Sequence, residues 1–219
     1  MLFTKYANNP VFGGKETGTT FDAYVSKQDK MLRMDFSYRE KRSCAVVFGT
    51  DGINWSEPII TLSPNPESGW ENDINRNCVL YVDGVYKMWY TGQANGHSRI
   101  GCAESDDGLN FVRKQSEPVI DLEYPWEGES VMNPCVIYEN GLYRMWYSAG
   151  ETYEPNVIAY AESSNGIAWK KYHGNPIFMC EKKNFFEQDR IGGCNVIKAD
   201  GGYIMFYIGL AECNVRNLF

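Results

Sequence analysis

The chain contains the segment Asn77-Cys-Val-Leu-Tyr-Val-Asp-Gly-Val-Tyr-Lys-Met-Trp-Tyr90, and the same pattern returns at near-constant spacing along the sequence. The later copies are Pro134-Cys-Val-Ile-Tyr-Glu-Asn-Gly-Leu-Tyr-Arg-Met-Trp-Tyr147 and Cys194-Asn-Val-Ile-Lys-Ala-Asp-Gly-Gly-Tyr-Ile-Met-Phe-Tyr207. A weaker copy stands near the start, as Ala23-Tyr-Val-Ser-Lys-Gln-Asp-Lys-Met-Leu-Arg-Met-Asp-Phe36. Each strong copy has an apolar run, an Asp-Gly or Asn-Gly turn and a second alternating run. This pattern predicts a β-hairpin.

The residues after each hairpin extend the unit to four short strands. A third apolar run follows, at residues 43–48, 99–104 and 157–162. A turn with a shared form comes next and ends in Trp55, Phe111 or Trp169, and a short segment with a proline closes the unit. Four short strands per repeat are typical of β-propeller blades, and the recurring aromatic is predicted to pack between neighbouring blades. Because no long segment shows a helical period, little helix is expected.

The repeats predict an all-β chain that forms a single β-propeller domain over residues 1–219. The predicted blades cover about residues 10–60, 70–120, 126–178 and 186–219, and the last of them is incomplete. Only about three and a half blades are then present. A propeller closes on itself to hide its strand edges. We therefore expect a truncated chain, a natural fragment, or a protein completed by a second copy, and the sequence leaves these three open.

Composition restricts the partners and the compartment. The net charge of −7 and the pI near 5.0 argue against a nucleic-acid or anionic-membrane partner, which would need a basic face. No apolar run approaches the roughly 18 residues that cross a bilayer, and the first residues do not resemble a secretory signal. The seven cysteines are odd in number and contain no Cys-x-x-Cys pair, so a zinc site is not expected. We predict a reducing, cytoplasmic location.

The repeats resemble the five-bladed propellers of glycoside hydrolase families 32, 43, 68 and 130. The resemblance lies in the hairpins at 83–90, 140–147 and 200–207, in the segment 99–111 and in the Asn-Pro starts at 9 and 175. It implies a five-bladed ring around a central funnel that holds a sugar. It also implies a glycoside hydrolase, or a related phosphorylase, that acts on a small oligosaccharide through funnel carboxylates. Some relatives hold an axial calcium ion, but no residue here requires one, and no cofactor is expected.

In that family three carboxylates, one from each of the first three blades, usually carry the chemistry. Asp22 matches the first of them, which is a base or a nucleophile. The second-blade position falls on Arg76 or Asn77, where the family has an aspartate. The third-blade position, a glutamate in the family, falls near Met132. These departures put ordinary family 43 chemistry in doubt.

Other acids stand just upstream of the predicted inner strands. Asp73, Glu129 and Asp189 occur in a repeated setting, and they would lie at the mouth of the funnel if those strands begin at 74, 131 and 191. Crowded carboxylates raise one another's pKa, which allows an acid and a base to coexist at neutral pH. We therefore predict Asp22 as base, Glu129 as acid and Asp73 as an orienting group. The structural alternative is that Asp22 is a turn residue and that each repeat uses an acid to finish its inter-blade loop.

Further side chains are predicted to contact the sugar. Arg76 and Arg190 interrupt the apolar pattern where strands enter the centre, so they would either clamp an anionic group or neutralise the nearby acids. His97 lies in a loop that would rim the funnel, although an exposed loop histidine is usually only a loop residue. The remaining candidates are Asn77, Asn133, Asp189, Trp70 and Trp126. For the two tryptophans, packing between blades is the favoured alternative.

Two other functions stay open from the sequence. A non-catalytic sugar-binding propeller, degenerate or truncated, is favoured by the two missing family acids and the incomplete fourth repeat. A protein-interaction propeller has no positive signal beyond the scaffold, because fold alone does not fix function.

Overall fold

The computed structural model describes residues 4–15, 17–181 and 183–211. In these ranges the chain forms fifteen β-strands and four one-turn 3₁₀ helices, which confirms the all-β prediction. The strands are β1 (Thr20–Gln28), β2 (Met31–Tyr38), β3 (Ser43–Gly49), β4 (Ile59–Leu62), β5 (Asp73–Val82), β6 (Val85–Ala94), β7 (His97–Ser105), β8 (Val112–Arg113), β9 (Ser130–Glu139), β10 (Leu142–Glu151), β11 (Glu154–Ser163), β12 (Lys170–Lys171), β13 (Phe178–Met179), β14 (Arg190–Ala199) and β15 (Gly202–Leu210). The 3₁₀ helices are Arg39–Lys41, Pro66–Ser68, Pro125–Glu127 and Phe185–Glu187. Residues 212–219 of the predicted fourth repeat, Cys213 among them, lie outside the described residues.

The strands form four antiparallel sheets that follow one another along the chain. Their orders are β1-β2-β3-β4, β5-β6-β7-β8, β9-β10-β11-β12 with β13 also pairing β11, and β14-β15. The predicted hairpins are confirmed at their turns: Val82 pairs with Val85, and Ala199 pairs with Gly202. Asp83 and Gly84 between the first pair both have positive φ, at 51° and 85°, which a tight hairpin turn of this kind requires.

Neighbouring sheets meet through apolar side chains. Trp169, at the end of its turn, packs edge-on against Trp89 of the preceding sheet, with ring centroids 6.0 Å apart. Phe111 is buried in the cluster that contains Cys44 and Leu62 of the first sheet, and its N–H donates to the carbonyl of Thr61 over 3.2 Å. Phe111 and Trp169 therefore fill space between sheets, as predicted, whereas Trp55 packs against apolar residues of its own sheet. Rings of this size bury roughly 150–250 Å² each.

The cysteines behave as small apolar groups. The six described cysteines are free thiols, and burial raises the pKa of the Cys102 thiol to about 12. Two of the thiols lie between inner strands: the Val136 N–H contacts Cys78 Sγ at 3.3 Å, and the Val196 N–H contacts Cys135 Sγ at 3.2 Å. These contacts help to join β5 to β9 and β9 to β14.

Three buried glutamates tie the loop before each inner strand to the second strand of the same sheet. Each glutamate accepts a hydrogen bond from a tyrosine hydroxyl, in the pairs Glu71–Tyr90, Glu127–Tyr147 and Glu187–Tyr207. Two of the carboxylates also pair with a cation: Glu71 with Arg113 Nε at 2.7 Å, and Glu127 with Lys171 Nζ at 2.6 Å. The repeated acid after an aromatic residue is therefore a structural element of the second, third and fourth sheets.

The first sheet departs from the pattern of the others. Counted from the hairpin turn, Asp35 stands where the other sheets have Trp89, Trp146 and Phe206. Arg33 and Asp35 are both about 2% exposed and form a bidentate pair, with N···O distances of 2.8 and 2.7 Å. The Arg33 guanidinium also lies 5.3 Å from the ring centre of Tyr86 in the second sheet. An ion pair here replaces the aromatic contact between sheets.

Each four-stranded unit carries one turn that is held by a side-chain carboxylate or amide. Asp107 Oδ1 accepts hydrogen bonds from the N–H groups of Leu109 and Asn110, both at 2.8 Å, and Asp51 holds its own turn in the same way. Asn165 makes the corresponding two bonds in the third sheet. These N–H groups lower the pKa of Asp51 to about 2, and they also lower that of Asp107.

These turns predict a specific acid dependence of stability. A pKa lowered by folding gives stability that is present above the unfolded value, about 3.9, and is lost as pH falls through the folded value. We expect a variant with both Asp51→Asn and Asp107→Asn to lose less thermal stability between about pH 4 and pH 2 than the wild type. Asn165 shows that asparagine can hold this turn. Asp106→Asn, next to the turn acid, is the control, and equal acid loss in all three proteins would contradict the prediction.

Candidate functional site

The site forms where the first strand of each sheet enters the centre. Strand β1 has a register shift between Phe21 and Tyr24, and β5 has one between Asn75 and Cys78. Such a bulge bends the strand and re-aims a side chain. Strand β14 contains a similar shift between 191 and 194.

Two residues at the bulges of β1 and β5, and the residue at the equivalent position of β9, have an uncommon backbone conformation. Asp22, Arg76 and Asn133 have φ of 51°, 52° and 58°, in the left-handed region. Counted back from the hairpin turns, the three positions are equivalent. Each of the last two is fixed by a hydroxyl from the preceding sheet: the Arg76 N–H donates to Ser37 Oγ at 2.7 Å, and the Asn133 N–H donates to Thr91 Oγ1 at 3.0 Å. Strained backbone of this kind is typical of ligand sites.

A main cavity of about 820 Å³ opens between the inner strands, and its wall includes residues of all four sheets. This volume lies in the usual range for ligand pockets, roughly 300–1,000 Å³. Tyr153, in the turn between β10 and β11, and Glu154 and Pro155, at the start of β11, add to the rim. Four of the predicted site residues line this cavity: Asp22, Arg76, Asn77 and Asn133.

The carboxylate of Asp22 faces a guanidinium in the cavity wall. Asp22 Oδ2 lies 3.4 Å from Arg76 Nε, and the Asp22 side chain is 38% exposed, so it is open to a ligand. Burial in the concave wall raises the pKa of Asp22, and the positive charges of Arg76 and Arg39 offset part of that rise. The arrangement provides a carboxylate that can accept a proton from water or from a sugar hydroxyl.

Two asparagine amides in the same wall carry polar atoms without protein partners. Asn77 is only 6% exposed, and neither its Nδ2 nor its Oδ1 is hydrogen-bonded to a described residue. Asn133 Nδ2 donates to Ser148 Oγ at 3.2 Å, whereas its Oδ1 has no partner among the described residues. Buried polar groups of this kind are usually paired, so they indicate a place where a polar ligand binds.

A small cavity of about 190 Å³ adjoins the main one and contains Asp73. Asp73 begins β5 and is half-buried, and this burial raises the pKa of its carboxyl group. The Asn75 amide, whose Nδ2 lies 3.4 Å from Asp73 Oδ1, and the charge of Arg42 offset part of the rise. The small cavity shares Arg76, Tyr153 and Glu154 with the main cavity.

Glu129 and His97 are not brought into either cavity. Glu129 is exposed, and its backbone carbonyl accepts a hydrogen bond from Arg99 Nη1 at 3.0 Å and lies 3.2 Å from His97 Nδ1. These contacts join the loop before β9 to β7. The predicted role of Glu129 as the acid therefore has no support from the geometry.

Asp189 and Arg190 also lie outside both cavities. Arg190 Nε pairs with Asp189 Oδ2 at 2.8 Å, and its Nη1 pairs with Glu154 Oε2 at 3.0 Å. Because Glu154 lines both cavities, Arg190 acts on the site through this carboxylate. Arg190 was predicted to contact the substrate directly, but it lines neither cavity and contacts Glu154 instead.

The two candidate tryptophans pack against the protein. The Trp70 ring stacks on Tyr90 with centroids 6.2 Å apart, and its Nε1 donates to the carbonyl of Ser116 at 3.0 Å. The Trp126 ring stacks on Tyr124 with centroids 6.1 Å apart. Neither tryptophan lines a cavity, which supports the packing alternative for both.

Asp73, Glu129 and Asp189 were predicted to occupy equivalent positions, but Asp73 is offset from the other two by one residue. Asp73 begins β5 opposite Gln93, and by the same count from the hairpin turn Arg190 begins β14 opposite Leu210. Asp189 therefore precedes that position, as Glu129 does before β9. The inner strands begin at 73, 130 and 190, one residue earlier than predicted. Because side chains alternate along a strand, an offset of one residue changes the face on which an acid lies.

Sequence reasoning missed Tyr153, Glu154 and Arg39. Tyr153 and Glu154 lie in the next repeat at the same hairpin tip that carries His97, a tip that is predicted to rim the funnel. The two loops touch, because the Gly96 N–H donates to the Tyr153 hydroxyl at 2.9 Å. No comparable signal marks Arg39, whose guanidinium reaches the small cavity from the turn between β2 and β3.

The described residues offer no candidate metal centre and no membrane-crossing helix. They contain no group of three or more histidine, cysteine, aspartate or glutamate side chains that could hold a metal ion. None of the helices in the described ranges is long and apolar enough to span a bilayer.

Comparison with known proteins connects this geometry to carbohydrate-active proteins. The family model described as "Glycosyl hydrolases family 32 N-terminal domain" matches residues 63–210. An uncharacterized protein of Mycobacterium tuberculosis is 38% identical over 128 residues, which are 53% of this chain and 42% of that protein. A 1,2-beta-oligomannan phosphorylase of Thermoanaerobacter is 29% identical over 121 residues, 50% of this chain and 40% of that protein. The chain thus matches about two fifths of the length of these relatives.

The solved structures support the fold. An endo-1,4-beta-xylanase of Bacteroides thetaiotaomicron superposes with a TM-score of 0.68 at 18% identity, covering 86% of this chain and 66% of that chain. At this identity the likeness concerns the fold alone, which is that of the propeller glycosidases.

Proposed function

Since the chain belongs to the family described as the glycosyl hydrolases family 32 N-terminal domain, within the propeller glycosidases, we propose that it cleaves glycosidic bonds. The substrate is a small oligosaccharide that binds in the main cavity. The observation that carries this proposal is the Asp22 carboxylate in the cavity wall, with Arg76 Nε 3.4 Å away. Action in the cytoplasm and without a cofactor is part of the same proposal.

Two carboxyl groups take the chemical roles. Asp22 acts as the base that activates the attacking group at the anomeric carbon. Asp73 replaces Glu129 as the candidate acid: burial raises its pKa, which favours the protonated form that can donate to the leaving oxygen. Arg76, which lines both cavities, orients the sugar between them. The bond from the anomeric carbon to the leaving oxygen breaks, and a bond from that carbon to water, or to phosphate, forms.

The relative named as a 1,2-beta-oligomannan phosphorylase supplies the first substrate class to test. A 1,2-β-linked mannooligosaccharide is accordingly the proposed substrate, cleaved by water or by phosphate. The amide atoms of Asn77 and Asn133 that have no partner among the described residues lie in the wall of the main cavity, which is consistent with a ligand that carries hydroxyl groups.

We further propose that the four sheets belong to a five-bladed ring. Large apolar side chains of β15 are exposed, among them Phe206 and Ile208 at 60% and 57%. Further strands, from a longer protein or from a second copy, would cover this hairpin and close the ring. Sedimentation of the 219-residue chain separates these two sources. A dimer or larger species supports a second copy as the source of the further strands, and a monomer supports a longer protein.

Non-catalytic carbohydrate binding is the alternative function. It is favoured by one observation: the positions equivalent to Asp22 in the next two sheets are Arg76 and Asn133, neither of which is an acid. On this alternative the cavity binds the sugar and leaves its bonds intact.

Incubation with 1,2-β-mannobiose and 1,2-β-mannotriose, with and without inorganic phosphate, tests the proposal. Mannose without phosphate indicates hydrolysis, and mannose 1-phosphate formed only with phosphate indicates phosphorolysis. Either product supports cleavage. Calorimetric binding without any product supports the alternative. If neither binding nor product is detected, the assignment to this substrate class is wrong.

A further inference from the structure

The small cavity beside the main one has the features of a second binding site. It shares a wall with the main cavity, and it lies between the first and second sheets with the tip of the β10–β11 hairpin over it. The remaining residues around it are Phe21, Tyr38, Arg39, Asp73, Ile74, Asn75 and Gln93. A ligand that extends from the main cavity past Arg76 therefore enters the small one.

The polar side chains of the small cavity are held in place before any ligand binds. Asn75 is 4% exposed, and its Nδ2 donates to Gln93 Oε1 at 2.8 Å. Gln93 Nε2 in turn donates to Ser98 Oγ at 3.1 Å, so the chain of hydrogen bonds runs from β5 across β6 to β7. Groups fixed in this way bind a polar ligand without a further ordering cost.

One cation in the cavity has no carboxylate partner among the described residues. The Arg39 guanidinium lies 4.7 Å from the ring centre of Phe21, and no described acid forms an ion pair with it. Its side chain reaches the cavity from an exposed turn. The guanidinium donors that do not face the ring remain available to oxygen atoms of a ligand.

The side chains around the cavity carry charges of both signs. Arg39 and Arg76 are cationic and Glu154 is anionic, while Asp73, the proposed acid, supplies both a donor and an acceptor when protonated. Arg76 is already engaged by Asp22, and Glu154 by Arg190. This mixed set of donors and acceptors suits a neutral, hydroxyl-rich ligand better than an anion or a cation, because a charged ligand would meet a like charge in the same wall.

We propose that the small cavity is a second sugar subsite, which binds one neutral sugar unit of the same glycan that occupies the main cavity. Arg39 is its principal hydrogen-bond donor. This inference rests on the proposed function, since it takes the ligand of the main cavity to be an oligosaccharide. It adds that the protein selects its glycan by length.

Calorimetric titration with mannose and the 1,2-β-linked di-, tri- and tetrasaccharide tests the subsite, because binding does not require turnover. In the wild type, one added sugar unit should raise the affinity by roughly 10–100-fold, as expected for hydrogen bonds to a charged group. Arg39→Ala should remove that step. Lys41→Ala is the matched control, since it removes the same charge from an exposed side chain of the same 3₁₀ helix that lines neither cavity. This variant should retain the step.

The outcomes separate the subsite from the proposed function. A length series without a step, or a step of equal size in Arg39→Ala, overturns the subsite even when the sugars bind or are cleaved. Loss of the step in both variants also overturns it, because a general charge effect then explains the result. The absence of binding by every member of the series overturns the subsite and the proposed function together.

Discussion

Replacing Asp22 by asparagine is expected to reduce glycosidic-bond cleavage by about 10²–10⁴-fold, the usual contribution of one acid–base group. The amide of asparagine cannot accept the proton that the carboxylate removes. Asparagine tolerates the left-handed backbone better than most residues, so the φ of 51° at this position can be kept. The initial rate of sugar release measures the effect, and the melting temperature checks the fold.

Asp29→Asn is the matched control for this variant. Asp29 has almost the same backbone conformation, with φ of 53°, and lies in the turn at the other end of β1, outside both cavities. It should cleave the substrate at the wild-type rate. Turnover that persists in Asp22→Asn, or that falls equally in Asp29→Asn, would show that Asp22 is not the base.

Lys171→Met is expected to give the largest loss of stability, about 3–5 kcal/mol in the free energy of unfolding. The carboxylate of Glu127 is 0% exposed and the side chain of Lys171 is 6% exposed. Removing the lysine leaves a buried carboxylate with only the Tyr147 hydroxyl, at 3.1 Å, and nearby backbone N–H groups as partners. A buried charge without its counter-charge is costly because water cannot solvate it. Urea denaturation measures the effect.

Lys170→Met provides the comparison, because it removes the same charge from the adjacent, exposed residue of the same strand. Its free energy of unfolding should stay within about 0.5 kcal/mol of the wild type, as is usual for surface substitutions. Equal denaturation midpoints for Lys171→Met and the wild type would mean that the Glu127 pair does not stabilise the fold.

The two variants probe different parts of each sheet. Asp22 lies at the inner end of a first strand, where backbone strain and an open wall leave a carboxylate accessible. Glu127 lies just before β9, the inner strand of the third sheet. Its carboxylate is buried and contacts Tyr147 and Lys171. Acids of the same type thus serve binding or stability according to what surrounds them.

The repeat of the sheets could be predicted because its signals are local. Asp83-Gly84 and Asn140-Gly141 favour tight turns by their own backbone preferences, and the alternating runs beside them favour strands. The aromatic Trp169 was correctly predicted to pack between sheets, since a ring of that size recurs in each unit and must be buried. The family resemblance and the position of Asp22 in the cavity wall also followed from short motifs.

Arg76, Asn77 and Asn133 were also predicted to lie at the site, and they line the main cavity. The side chains of the rim and of the small cavity could not all be assigned in this way, because their positions depend on contacts between distant parts of the chain. The bulge at Arg76 is fixed by Ser37, 39 residues earlier, and the rim loop with Glu154 reaches the cavity from a different sheet. Asp73 is the first residue of β5, whereas Glu129 precedes the first residue of β9. No local sequence pattern indicates this difference of one residue.

From its residues alone, this protein's all-β class, its hairpins and its inter-sheet aromatics could be deduced, since turn preference and strand alternation act over a few neighbouring residues. Which acids face the cavity, which are buried beside a cation, and which loops form the rim came from the packing of whole sheets. Such packing depends on register and on long-range hydrogen bonds, and neither is written in any single segment.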